Sequence, residues 1–338
     1  METPDVLVMG LGPAGASAAA EAARRGCKVV ALDRKREAGL PVQCAELVPA
    51  LLHVEAGAVR QRIGSMATFV EDDAPDVSAD FPGRMLDRAA FDKSLVEAAQ
   101  RAGAAIRFDC FVTSITPKGL VETSDGNAFH APAVIGADGP RSRAGKAIGS
   151  VNTALVETRQ ITVGLLEPHA ATDIFLSAGI PGGYGWLFPK GDAANLGAGV
   201  SPAHKGRLKS IVSGLHSKLI HETRVERNIL ALTGGAIPVG GMLTPWGLLE
   251  RTLVLLAGDA AGLANPVTGA GIAAAVHSGR LAGQAAASGK FEEYEEELED
   301  VYRAALDRAL ARRRELMKSK FEKAALRRGW IAYPEYWQ

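Results

Sequence analysis

At 338 residues the chain is too long for one small core and suits one large domain or two intertwined ones. Its 38 Lys+Arg balance 38 Asp+Glu, which excludes a globally basic nucleic-acid-binding surface. The hydrophobic share of 47% is ordinary for a globular protein, and three cysteines without a C-x-x-C pair argue for a reducing compartment rather than a disulfide framework.

Residues 1–5 lead straight into an apolar strand, with no basic region and apolar run of a signal peptide. No stretch reaches 18 consecutive apolar residues, so no membrane-spanning helix is predicted and the default location is cytoplasmic. Peripheral membrane contact, which needs only a surface patch, stays open.

The first predicted elements are a buried strand over 5–9, an Ala-rich helix over 13–25 and a second strand over 28–32. Strand, glycine turn, helix and strand in that order make a βαβ unit. Strands over 63–70 and 76–80 leave this unit, and 88–102 carries apolar residues at helical spacing. Strands over 106–115 and 133–137 return to it. From 151 to 248 short apolar runs alternate with Gly and Pro, which predicts a mostly antiparallel sheet with one helix near 203–219. A strand over 253–257 rejoins the first sheet and a helix over about 269–288 follows.

The fold class is therefore α/β, α+β overall: a Rossmann-type βαβ domain with a parallel sheet, plus an antiparallel-sheet substrate domain. The first comprises 1–62, 85–150 and 249–290, and the second 63–84 and 151–248. The remainder, 291–338, is read as an amphipathic helix over 291–326 and a tail. That helix places apolar residues at 291, 294, 298, 301, 305, 309 and 316. Acidic residues fill its first half and basic ones its second (Arg312, Arg313, Arg314, Lys318, Lys320, Lys323), an order that complements the helix dipole. A solvated helix packed on the body is the plain reading; the other is a basic docking surface for a partner or anionic lipid.

Gly10-Leu-Gly12-Pro13-Ala14-Gly15 joins the first strand to the first helix. Gly10 permits the tight turn, Gly12 lets backbone approach a pyrophosphate, and Gly15 lets helix and strand pack closely. The helix N-terminus offers unpaired N–H groups to phosphates. Asp33, 18 residues after Gly15, ends the second strand where an acid can take ribose hydroxyls. This fingerprint alone does not separate FAD from NAD.

Later segments separate them. Val134-Ile-Gly-Ala-Asp138-Gly139 resembles the Asp-Gly motif of flavin hydroxylases and their relatives. Leu256-Ala-Gly258-Asp259-Ala260-Ala-Gly262, followed by Asn265-Pro266-Val-Thr-Gly269-Ala-Gly271-Ile272, resembles their second FAD motif. Arg88-Ala-Ala-Phe91-Asp92 resembles the segment that reaches the FAD phosphates. Two further segments, Pro41-Val-Gln-Cys44-Ala-Glu46 and Tyr184-Gly-Trp186-Leu-Phe188-Pro-Lys190 with Gly197 and Gly199, resemble motifs of the geranylgeranyl reductase family. Together the resemblance covers roughly residues 5 to 285.

That resemblance implies a para-hydroxybenzoate-hydroxylase-like fold, bound FAD, and reduction of isoprenoid C=C bonds by hydride from flavin N5. NADH, NADPH or reduced ferredoxin would act as transient electron donor. It implies a cofactor set of Gly10, Gly12, Pro13, Ala14, Gly15, Asp33, Arg34, Cys44, Arg88, Val112, Asp138, Gly139, Gly258, Asp259, Ala260, Pro266, Gly269, Gly271 and Ile272. Asp259 would hold the ribityl chain, and the glycines at 269 and 271 would present N–H groups to the pyrimidine ring. Cys44 would lie near the isoalloxazine as a proton donor (catalytic) or as an inert pocket thiol. Tyr184, Trp186 and Phe188 share one strand face and would form an aromatic substrate wall, or else a packed sheet face. Cys27 and Cys110 are read as packing residues. Only 66 residues follow Ile272, so the lipid enclosure of the family is expected to be short or open.

Two other flavin functions remain: passing electrons to a redox protein partner, such as an iron–sulfur or radical enzyme, and aromatic hydroxylation with O₂. Non-flavin chemistries lack motifs. Gly139-Pro-Arg-Ser-Arg-Ala-Gly-Lys146 has five residues between its glycines instead of four and Ala147 in place of Ser or Thr, so it is not a phosphate loop. The seven histidines are scattered without zinc spacing, and no Gly-x-Ser-x-Gly elbow occurs, so no metal and no hydrolase triad are predicted.

Overall fold

All four residues of Val6–Met9 are buried, and this continuous apolar run sits in the interior of a six-stranded sheet. Strands buried on both faces read this way because helices cover the sheet. The computed structural model describes residues 1–338 apart from 51, 55, 320 and 321. Across the sheet the order is Trp246–Leu249, Thr252–Leu256, Ala133–Gly136, Val6–Met9, Val29–Leu32, Ala105–Arg107. All neighbours pair in parallel except Trp246–Leu249, which is antiparallel to Thr252–Leu256.

Helix α1 (Pro13–Arg24) packs against the sheet through nine small buried residues, from Ala14 to Ala23. The chain continues through α2 (Arg88–Arg101), the short α3 (Arg143–Ala147), α4 (Leu208–His221) and α5 (Ile272–Ser288). Helices α1 and α5 lie backbone to backbone. A Cβ on Gly279 would come within 2.1 Å of the Ala14 carbonyl oxygen, and one on Gly283 within 2.5 Å of that of Ala18. These glycines, four apart and so on one helix face, let the second half of α5 run against α1 from Ala14 to Ala22.

The second layer is an eight-stranded sheet in the order Val225–Thr233, Leu155–Leu165, Ala193–Val200, Gly185–Lys190, Ala171–Leu176, Ser65–Val70, Asp76–Ser78, with Ala236–Pro238 beside Leu155–Leu165. Pairing is antiparallel except between Ala171–Leu176 and Ser65–Val70. Helix α4 packs on one face over a core that includes Ile161, Val163, Leu187, Leu196 and Leu219. The other face looks toward the six-stranded sheet. A small sheet of Leu47–Pro49, Val59–Ile63 and Gly83–Leu86 lies between the layers.

Two expectations change. The run 106–115 is two strands, Ala105–Arg107 and Val112–Ile115, because Asp109 takes φ +53° and turns the chain between them. The segment 291–326 is not one helix. It divides into α6 (Phe291–Leu298), a π-turn (Glu299–Arg303), α7 (Ala304–Lys318) and α8 (Lys323–Arg328). The π-turn inserts one residue and displaces the buried stripe locally, while Ala309 and Leu316 beyond it keep their predicted inward positions. Val301 is 51% exposed, Ala305 is exposed, and Leu306 takes over as a buried contact.

Of the described basic residues after 311, Arg312 and Arg313 pack inward, and Lys323 pairs with Asp73 at the surface. Arg313 donates to the carbonyls of Pro266 and Gly182 (3.3 and 2.7 Å), Arg312 to Tyr336 O (3.1 Å), and Lys323 to Asp73 (2.6 Å). Lys320 lies outside the described residues. Arg312 and Arg313 dock this segment onto the body, while Arg314, Lys318 and Lys323 keep basic charge on its surface. No described helix is long and apolar enough to cross a membrane.

Candidate active site

A cavity of about 490 Å³ opens between the two large sheets, within the size range of small-molecule sites. Its floor is the start of α1 (Gly12, Pro13, Ala14) and the start of α5 (Gly271, Ile272). Neither Gly12 nor Gly271, the residues preceding these helices, supplies a side-chain cap. Both helices thus direct unpaired N–H groups and the positive dipole end toward the same space, a setting for negative charge. A Cβ built on Gly12 meets no atom within 4 Å, whereas one on Gly15 would lie 1.8 Å from Gly10 O. Gly12 keeps space open for something other than protein; Gly15 is required by packing.

Arg88 and Asp259 face each other across the cavity floor. Arg88 is held by two 2.9 Å hydrogen bonds to Asp92, one turn along α2. Burial works to lower its pKa, but Cys44 and Asp92 beside it outweigh burial and raise it. Among the described residues no side chain donates to the Asp259 carboxylate, and burial, partly offset by Arg88, pushes its pKa up to about 6. A carboxylate without a donor in a polar crevice is a vacant acceptor for hydroxyls.

Asp259 also yields a sign. A carboxyl whose folded pKa is raised destabilises the ionised native state, so the penalty is full above about pH 6 and vanishes below the unfolded value. Asp259→Asn is therefore expected to stabilise the ligand-free protein by about 3 kcal/mol at pH 8, the advantage disappearing near pH 4. Urea titrations of the two apoproteins at both pH values check this; a pH-independent difference would contradict it.

The wall opposite the floor is aromatic. Tyr184, Trp186 and Phe188 all line the cavity, with ring centroids 5.7 and 6.2 Å apart in sequence. Trp186 can lie on the sheet because Gly197 faces it; a Cβ there would come within 2.4 Å of the indole Cζ2. Tyr184 donates its hydroxyl to Thr268 O at 2.6 Å, and burial raises its pKa, so it stays protonated.

Between floor and wall runs the loop carrying Cys44. The Cys44 sulfur accepts the Glu46 N–H at 3.1 Å and lies beside the Arg88 guanidinium. The Cys44 carbonyl accepts from Gln160 Nε2 at 3.1 Å, and Gln160 Oε1 accepts from Trp186 Nε1 at 3.0 Å. Glu46 is 3% exposed at φ +72°, and its carboxylate accepts from Lys190 Nζ, Asn195 Nδ2 (2.6 Å) and Arg88 N (3.3 Å). One carboxylate thus ties the loop to the wall strands and to α2.

Of the residues singled out from sequence, the cavity gathers Gly12, Pro13, Ala14, Cys44, Arg88, Gly139, Tyr184, Trp186, Phe188, Asp259, Gly269, Gly271 and Ile272. The others lie outside it. Gly10 (φ +93°) makes the turn and Gly15 the packing. Asp33 accepts from the N–H groups of Leu11 (2.7 Å) and Lys35 (2.8 Å), with Arg34 exposed next to it. Asp138 accepts from Ser142 Oγ (2.5 Å) and Arg143 N (2.6 Å), so its carboxylate secures the start of α3 rather than facing the cavity. Val112 is buried in the core with Cys110, and Ala260 likewise. Gly258 (φ +62°) lies against Ala14 and Ala275, and Pro266 lines a small annex beside Arg313. Cys110 is buried and Cys27 half-buried, and burial raises the pKa of both thiols. Sequence reasoning missed roles for Glu46 and Lys190, although both stood inside quoted motifs. It missed Gln160, Asn195 and Trp330, which also lines the cavity, because no local pattern marks them.

Residues 153–237 match the model of the geranylgeranyl reductase catalytic domain. Digeranylgeranylglycerophospholipid reductase 1 of Methanopyrus kandleri is 35% identical over 311 residues, covering 83% of this chain and 80% of that protein. The chain belongs to the geranylgeranyl reductase family. Among solved structures, a geranylgeranyl bacteriochlorophyll reductase-like protein from Thermoplasma acidophilum superposes with a TM-score of 0.84 at 24% identity, covering 99% of this chain and 98% of that one. The myxobacterial chondrochloren halogenase, an FAD-dependent enzyme, shares the fold at TM-score 0.64 and 19% identity over 94% of this chain and 82% of its own. This reductase is thus an oxidoreductase on an FAD-dependent flavoprotein fold. Its own residues fit such a cofactor: two uncapped helix ends, the open cradle at Gly12 and the donor-free Asp259 meet in one cavity.

Proposed function

We propose that the reductase binds FAD non-covalently in this cavity and reduces a C=C bond of an isoprenoid substrate lying along the Tyr184–Trp186–Phe188 wall. The observation that carries the reading is the meeting of an anion-binding floor with an aromatic, largely apolar wall in one cavity. Gly12, Pro13 and Ala14, with Arg88, would hold the pyrophosphate; Asp259 would accept ribityl hydroxyls; and Gly269, Gly271 and Ile272 would present N–H groups to the flavin ring. Asp33 and Arg34, with Val112, would hold the adenosine end. Bound and reduced, FAD supplies a hydride equivalent to one alkene carbon.

The chain's own part is the proton. Cys44 Sγ gives its proton to the other alkene carbon, and the thiolate left behind is stabilised by Arg88 and the Glu46 N–H before solvent reprotonates it. Tyr184, with its hydroxyl committed to Thr268 O, is unavailable for that step. NADH, NADPH or reduced ferredoxin would recharge the flavin from outside.

The test is anaerobic. The yellow protein is titrated with NADH, NADPH or reduced ferredoxin, and geranylgeranyl diphosphate or a geranylgeranylated glycerophospholipid is then added. Reoxidation with saturated product supports the reading. Reoxidation only by an iron–sulfur protein, or only by O₂ with a hydroxylated aromatic, would replace it with electron transfer or hydroxylation. In the same assay Cys44→Ser should leave flavin reduction unchanged and slow alkene turnover by ~10²-fold or more, the usual worth of a general acid. Unchanged turnover would make Cys44 a lining residue.

A further inference from the structure

One part of the cavity lining comes from a segment that approaches from far along the chain. Trp330 and Ile331, just after α8, line it directly. Trp330 is 3% exposed, its ring centroid lies 4.8 Å from that of Tyr184, and it packs in one cluster with Met66, Ile174, Trp186 and Phe188. The rest of this wall comes from sheet strands, whose side chains are set by their register. Trp330 comes on a strap held to the outside by polar contacts. Lys323 and Arg327 pair with Asp73 at 2.6 and 3.1 Å, and the Tyr333 hydroxyl donates to Asp76 at 2.6 Å.

The indole also carries an unexplained cost. Among the described residues its Nε1 is buried without a hydrogen-bond partner, which Phe in the same place would avoid. Packing alone therefore does not call for Trp here; the extra ring does add bulk at the end of the aromatic wall.

We propose that Trp330 is the end wall of the substrate cavity and sets the length of isoprenoid chain that the reductase accepts. The inference rests on the isoprenoid reading above and adds a specificity-determining residue to it. A chain lying along Tyr184, Trp186 and Phe188 ends against the indole, so longer chains are disfavoured by overlap with it. With the indole removed, the space it fills becomes available to further isoprene units.

The experiment uses the flavin-loaded reductase and equilibrium binding of geraniol, farnesol and geranylgeraniol, read from the perturbed flavin spectrum. Trp330→Ala is expected to raise the affinity for geranylgeraniol relative to geraniol by at least ~10-fold over wild type, the scale on which apolar pockets sense single methylenes. Trp330→Phe, which keeps a ring, should stay within about threefold of the wild-type ratio. Trp330→Leu serves if the Ala variant loses the strap, and should shift the ratio in the same direction. Equal changes at all three lengths, or none, in a flavin-loaded variant would overturn the end wall and leave Trp330 a packing residue. Absence of binding by the wild type to any of the three alcohols would instead overturn the isoprenoid reading, and the proposal with it.

Discussion

Gly12→Val should give a folded protein that purifies without flavin. The three fingerprint glycines do different work, and the distances separate them. Gly10 needs φ +93°, and a Cβ there would meet Ala137 O at 2.4 Å; a Cβ on Gly15 would meet Gly10 O at 1.8 Å. Side chains at those positions collide with backbone, so Gly10→Val and Gly15→Val should cost the fold itself. Gly12 has an ordinary φ of −72° and nothing within 4 Å of its Cβ. The protein tolerates a side chain there, but the side chain occupies the approach to the α1 N-terminus. FAD affinity should fall ~100-fold or more, equivalent to about 2.7 kcal/mol. Visible absorbance and circular dichroism of the purified variant check both halves; a full flavin complement would contradict the assignment of the cradle.

Lys190→Met should destabilise the protein by about 3 kcal/mol and slow turnover, because it strands a buried carboxylate. Glu46 is 3% exposed, and Lys190 is its cationic side-chain partner; Asn195 and the Arg88 N–H do not neutralise it. The loss reaches the chemistry because Glu46 lends its own N–H to the Cys44 sulfur. Adding Glu46→Gln in the same chain should recover much of the stability, since a neutral amide no longer needs the cation. Thermal melts of the two single variants and the double variant make the cycle. Strict additivity would mean that the pair is uncoupled and that the loop is held by its other contacts.

What could be read directly from the sequence was local. The βαβ unit declares itself within the first 33 residues, because turn, helix start and strand end are neighbours in the chain and each demands particular residues: glycine where φ is positive, small side chains where helix meets strand. Gly269 and Gly271 beside Asp259 were legible for the same reason, as was the shared face of Tyr184, Trp186 and Phe188, since strand alternation is a local rule. The C-terminal helix departed from its periodicity where a local rule was broken: at the π-turn Glu299–Arg303, Val301 and Ala305 turn outward and Leu306 inward, while Ala309 beyond it stays buried as predicted.

Tertiary structure decided what fills the space between the motifs. Glu46 meets Lys190 and Asn195 across 144 and 149 residues of chain, Cys44 meets Gln160 across 116, and Trp330 meets Tyr184 from the far end. Such encounters depend on sheet order and on which face of one layer turns toward another. Burial then converts ordinary side chains into special ones, as with the carboxyl of Asp259, whose pKa rises only because the folded chain removes water from it. The sequence determined that a dinucleotide-binding turn would form and which aromatic residues would share a face. Only the packing of two sheets and a returning strap determined that these would enclose one cavity, because desolvation and long-range contact exist only once the chain is folded.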